Sequence, residues 1–256
     1  MKLVVLACPR LEEANWKIAE KLMEYNYEVV FLPYTEVFEY FIKEYIEGTP
    51  YEELLNTLIK AGLVKNVEKW ERKTKPILEA LIRVKKLKKE LKIRCYIDAN
   101  YASFFREEEK RILDLTFRGC LTGNVEVEIW KKILWKIVNH MIREMECEAE
   151  TIIRDLKRFK RGICISGLTE IPILVRKLRD FGVKVKTRFI FTPYRFTPIE
   201  ELKNLMLSCF LKNVDVSNSR VEKLVRMHLS FIKDFVLKCE SLDDAYYMWV
   251  KSAKLI

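Results

Sequence analysis

Residues 162–185, GICISGLTEIPILVRKLRDFGVKV, read as a short apolar strand, a turn at Gly167, a helix begun at Thr169 and a second strand. A strand–helix–strand run this short closes most simply as two parallel strands of one sheet joined by a right-handed crossover. The N-terminus repeats the pattern, with an apolar run over residues 2–7 (KLVVLA), a helical pattern over 11–25 and a second strand over 27–33. A third strand type, IRCYID over residues 93–98, ends in Asp98. The chain is therefore expected to be α/β, with a small, mostly parallel sheet of about five strands, large helical insertions and a helical C-terminus. The expected layout is an α/β domain over residues 1–195, with insertions over about 35–92 and 106–160, and a C-terminal helical region over 196–256 packed on it.

Helix punctuation refines this picture. Thr49, Pro50 and Glu52 combine an N-cap, a first-turn proline and a capping-box acid, so a helix is expected from Pro50. A basic helix over residues 65–91 is expected to bend or divide at Pro76. Over residues 125–160 apolar side chains recur every three to five positions, predicting one long helix, or two end to end, with a kink near 146–150. NYASF, over residues 100–104, reads as a loop before a helix near Arg106. Three C-terminal helices are signalled by Thr197 with Glu200, Ser219 with Glu222, and Ser241 with Asp244.

Composition narrows the functional classes only a little. Lys and Arg outnumber Asp and Glu by 47 to 37, a net charge of +10 that favours anionic partners. The absence of glutamine, the two histidines and the abundant Lys and Glu fit a hyperthermophile, in which such a charge is ordinary. Seven cysteines without CxxC spacing argue against a zinc ribbon or a dithiol site, and their odd number fits a reducing cytoplasm. No uncharged apolar run reaches the ~18 residues of a membrane span. Neither a phosphate loop, a GxGxxG nor a GxSxG motif is present, and no cofactor or metal is expected from motifs.

In open parallel sheets ligands bind beyond the carboxyl ends of the strands. The loops there offer Arg10, Thr35, Glu36, Asp98, Asn100, Arg106, Thr169 and Glu170 as candidate ligand-binding residues. Polar residues at such places also serve as caps and turn formers, so position alone does not decide their role.

The order of these residues resembles that of the TraB/TIKI/GumN group, whose relatives include haem-binding ChaN-like and erythromycin-esterase-like proteins. Those families carry GxxH after the first strand, an acidic strand end followed by an Arg-bearing helix, an ERD segment and a second strand with GxxH. Here Ala7-Cys8-Pro9-Arg10 and Gly167-Leu168-Thr169-Glu170 stand in the two GxxH places, Asp98 with Arg106 in the middle one, and Ile153-Arg154-Asp155 in the ERD one. The resemblance covers residues 1 to about 190 and implies a metal-dependent hydrolase site at the two turns. Arg10 and Glu170 replace its histidines, so what it implies for this chain is an altered pocket in which the two face each other as a salt bridge. The chain's own histidines, His140 and His228, fall within helical apolar patterns.

Basic clusters supply a second set of candidates. Lys85, Lys86, Lys88 and Lys89 lie within RVKKLKKELKIR, and Lys184, Lys186 and Arg188 alternate along the last strand. Counterion release makes such clusters natural phosphate-binding surfaces. A solvated amphipathic helix and a lysine-protected sheet edge have the same appearance. Val221, Leu224, Val225, His228, Ile232 and Phe235 share a helix face expected to meet either the domain or a second subunit in a homodimer. The first expectation is non-enzymatic binding of a ligand or partner, with an anionic ligand favoured by the charge. The alternatives are a nucleic-acid-associated factor and a hydrolase using Asp98, Glu36 and Glu170.

Overall fold

The computed structural model describes residues 1–252. Five strands, β1 (Lys2–Cys8), β2 (Val29–Thr35), β3 (Lys92–Ile97), β4 (Arg161–Gly167) and β5 (Lys184–Phe189), form one sheet in the order β3-β2-β4-β1-β5. Every pairing is parallel. Burial follows sheet position. Residues 162–166 of the central β4 are all buried, as expected for a strand covered on both faces, whereas β5 at one edge is half-buried or exposed throughout. Among its residues Lys184, Lys186 and Arg188 are exposed, a pattern that discourages further strand pairing at that edge.

Ten α-helices complete the described chain: α1 (Glu12–Glu24), α2 (Glu36–Glu47), α3 (Tyr51–Lys60), α4 (Val67–Leu87), α5 (Ala99–Thr122), α6 (Val127–Leu156), α7 (Ile171–Asp180), α8 (Pro198–Lys212), α9 (Asn218–Asp234) and α10 (Leu242–Ser252). They divide between two compact units. The first comprises Met1–Ala99 and Met145–Thr192 and holds the whole sheet. The second comprises Asn100–Glu144 with the described residues from Pro193 onward, and is helical. The boundary therefore differs from the one expected near residue 195: α5 and the first part of α6 group with the C-terminal helices. In the second unit Trp130, Leu134, Val138, Leu202, Met206, Val221 and Val225 are buried core residues.

Several local expectations change. NYASF lies inside α5, which starts at Ala99 directly after β3, so the loop is absent and the helix begins seven residues before Arg106. Pro76 is buried within α4, which continues through it. Glu146 to Glu150 do not interrupt α6: Glu and Ala favour helix, Glu148 and Ala149 are buried, and Glu146 pairs with Lys177 of α7. Thr169 lies in a turn and does not cap α7, whose N-cap is Glu170 with no side-chain cap bond. Similarly, Pro50 is the N-cap of α3 and Ser217 that of α9, displacing Thr49 and Ser219. The Thr197–Glu200 capping box forms as expected. Val221, Leu224, Val225 and His228 are buried, so that stripe is core and not a subunit surface.

Candidate ligand groove beside the terminal strand

Strand order places the carboxyl-edge loops. The β1-to-β2 connection steps over β4, and the β4-to-β5 connection steps over β1 in the opposite direction. Right-handed crossovers send such connections to opposite faces, opening a crevice between the two strand ends. Cys8 is in register with Gly167, so the turns bearing Arg10 and Thr169–Glu170 leave from adjacent ends. Likewise Thr35 is in register with Ile97, and Glu36 and Asp98 follow neighbouring strand ends. Arg10, Glu36 and Asp98 are exposed, while Thr169 and Glu170 are half-buried. Asn100 and Arg106 are exposed residues of the second unit, so the middle element of the resemblance is divided between units.

The surroundings of Glu170 give no support to the salt bridge with Arg10 that the resemblance implies. Glu170 instead folds back over the strand end: a methyl group on Gly167 would collide with its carboxylate. Its Oε2 is buried without a hydrogen-bond partner. Beneath this turn the Tyr96 hydroxyl donates to the Ile165 carbonyl of β4 at 2.7 Å. Burial raises the Tyr96 pKa well above that of a free tyrosine, and the Glu148 and Glu170 carboxylates act in the same direction. Tyr96 is therefore a neutral hydrogen-bond donor. Tyr96→Phe is expected to cost about 1 kcal/mol, measured as a lower urea midpoint, because a buried carbonyl loses its donor.

A groove lies on the other side of β2. It measures about 510 Å³ and is lined by Glu36, Glu39, Tyr40 and Lys43 of α2, Arg94 and Cys95 of β3, and Thr151, Arg154 and Asp155 of α6. All belong to the first unit. Its floor is an ion-pair chain. Arg94 Nη1 donates to Glu39 Oε1 at 2.9 Å, and Arg94 Nε pairs with Asp155 Oδ2 at 2.9 Å. The second oxygen of Glu39 accepts the Cys95 backbone N–H at 2.8 Å, and Lys43 pairs with its first. β3 is a terminal strand, so a helix side chain here occupies a backbone group that an additional strand could otherwise claim.

The groove's charged groups thus differ in commitment. Glu39, Arg94 and Asp155 hold one another and join α2, β3 and α6. Among the described residues Glu36 forms no ion pair, Tyr40 is 64% exposed, and Arg154 pairs loosely with its neighbour Asp155, at 3.8 Å. Cys95 is an inert wall: burial, with Glu39 adding to it, pushes its thiol pKa far above the usual range. Burial likewise pushes Cys8 up to about 12. Among the described residues no three His, Cys, Asp or Glu side chains are grouped to hold a metal ion.

The sequence pattern singled out Glu36 here but missed Glu39 and Arg94. A charge inside the apolar strand IRCYI was the available signal, because an arginine at that position requires an acidic neighbour. The basic candidates separate as well. Lys85 donates to the Leu91 carbonyl at 3.1 Å. Lys88 donates to the Tyr25 carbonyl at 3.0 Å and lies over the Tyr27 ring, 4.7 Å from its centroid. Burial lowers the Lys88 pKa, with Arg161 acting in the same direction. These two lysines tie the end of α4 to its surroundings, whereas Lys86 and Lys89 are exposed. His140, half-buried, packs against Phe104 and Tyr101, and burial followed by Arg143 and Lys136 lowers its pKa.

No protein-family model, curated protein or solved structure matches the chain. No helix among the described residues is long and apolar enough to cross a membrane.

Proposed function

We propose that this protein binds a small polar ligand bearing charges of both signs in the groove beside β3, without transforming it. The observation that carries this reading is the division of labour in the groove: Arg94 is held between Glu39 and Asp155, while Glu36 and Tyr40 line the same cavity outside that chain and Arg154 joins it only at 3.8 Å from Asp155. A preorganised floor with uncommitted walls is the arrangement that binding pockets use to orient a ligand. Glu36 would take an ammonium group, Arg154 a carboxylate in fork geometry, and Tyr40 an apolar or aromatic body. The volume, about 510 Å³, suits a molecule of dipeptide size. In this reading the resemblance to the TraB/TIKI/GumN group concerns the order of elements, with Arg10 and Glu170 where that group's histidines stand and the binding chemistry moved to the side of the terminal strand β3.

The test is a melting-temperature panel with three kinds of probe: a simple amine, a simple carboxylate and the dipeptide glycyl-tyrosine. At about ten times its Kd, the zwitterion is expected to raise Tm by roughly 2 to 4 °C, with little effect of either single-charge probe. Equal effects of all three would contradict selective recognition. Salt-sensitive retention of RNA or DNA, lost on neutralising the exposed Lys86 and Lys89, would favour the nucleic-acid alternative instead.

A further inference from the structure

The helix α5 has an outward face that the ligand reading leaves unexplained. Leu113, Phe117 and Leu121, spaced four residues apart, are 68%, 63% and 70% exposed. The opposite face, with Glu108, Ile112, Leu115, Thr116 and Gly119, is buried. Three large apolar side chains in consecutive turns form one stripe on the outer side of a helix whose inner side already meets its core. Scattered apolar exposure is ordinary, but a contiguous stripe of this kind marks a contact surface.

Charge identifies the occupant. The chain carries +10, which opposes association of two copies over most of its surface. Beside the stripe, however, Glu107 pairs with Lys110 at 2.6 Å, and Arg118 with Asp114 at 3.1 Å and with Glu126 at 3.2 Å, so these five side chains carry a net charge of −1 and lack the positive excess of the chain as a whole. Asp114 and Arg118 lie one turn apart on the same flank. A two-fold axis through Phe117 would set two α5 helices antiparallel, with Leu113 against the partner's Leu121 and Phe117 against the partner's Phe117. Asp114 would then face the partner's Arg118, and the reciprocal pair would form on the other side. A stripe whose apolar order and flanking charges are both self-complementary fits an isologous interface.

We infer that α5 forms a symmetric antiparallel contact with a second copy of this chain. The stripe alone is smaller than the ~800 Å² per partner of a standard interface, so the dimer is expected to be weak, with dissociation in the micromolar range.

Sedimentation velocity of the full chain over a concentration series provides the test. The wild type should shift from monomer to dimer, and Phe117→Asp should raise the dissociation constant about thirtyfold or more. Circular dichroism on the same samples should be unchanged, because the side chain is exposed. Asp114→Arg and Arg118→Asp should each weaken the dimer by placing like charges opposite one another, and the double swap should restore it. A wild type that remains monomeric throughout, a Phe117→Asp variant that sediments like the wild type, or a double swap no better than either single change would each overturn the inference.

Discussion

Between pH 6.5 and about 4 the protein is expected to lose about 3 kcal/mol of folding stability through His228 alone. This histidine is buried in the second unit, with its ring edge-on to Trp130 at a centroid distance of 6.0 Å. Its Nε2 lies 3.2 Å from Thr116 Oγ1, and the Thr116 hydroxyl itself donates to the Ile112 carbonyl at 2.8 Å. Nε2 must therefore carry the proton, leaving Nδ1 as a buried acceptor without a hydrogen-bond partner. A second proton at Nδ1 would have no acceptor. Burial, with a smaller contribution from Lys203, accordingly lowers the pKa from 6.5 to about 4.

The direction of the pH effect follows from these values. Above pH 6.5 neither the folded nor the unfolded chain is protonated at this ring, and the native state carries no penalty. As pH falls toward 4 the unfolded chain takes the proton and the folded chain resists it, so stability declines; below that value the contribution levels off. A difference of about 2.5 pKa units at 1.36 kcal/mol each gives the figure of about 3 kcal/mol. Urea unfolding of the wild type and His228→Leu at pH 7 and pH 4.5 isolates it from the carboxylates, which titrate in both proteins. The variant should lose about 2 to 3 kcal/mol less than the wild type. Parallel losses would show that His228 is not held neutral.

Arg94→Met is expected to destabilise the first unit by about 2 kcal/mol, at the low end for breaking a buried ion pair because Arg94 retains 26% side-chain exposure. Removing the guanidinium leaves Glu39 and Asp155, 20% and 15% exposed, as neighbouring carboxylates without their shared cation. Glu39→Gln should recover part of the loss when combined with Arg94→Met. Its amide oxygen can still accept the Cys95 N–H, and the repulsion between the two carboxylates is gone. A double-mutant cycle in urea measures this coupling. Additive effects of the two changes would mean that Arg94 and Glu39 are not a working pair.

The sheet was legible because parallel strands buried on both faces write themselves as short apolar runs, as in KLVVLA and GICISG. Helix starts were less so. Thr197 forms its box, but Thr49 and Ser219 carry the same signature without capping, since the motif marks a local option that tertiary packing can decline. The grouping of α5 with the C-terminal helices was hidden, because it depends on pairs such as Thr116 with His228 and Lys131 with Asp215, far apart in sequence. The candidate site was half visible. Strand-end position led to Glu36, whereas Arg94 and Asp155 meet only when β3 and the end of α6 are brought together.

Calorimetric titration of glycyl-tyrosine into the wild type and into Arg154→Ala tests the groove most directly. Arg154 is exposed and meets the Glu39–Arg94–Asp155 contacts only through a 3.8 Å pairing with Asp155, so its removal should leave the fold intact. The account predicts saturable one-to-one binding to the wild type and at least a tenfold weaker Kd for Arg154→Ala, the equivalent of about 1.4 kcal/mol for a charged hydrogen bond. No heat with the wild type, or the same affinity in both proteins, would contradict a ligand site in this groove.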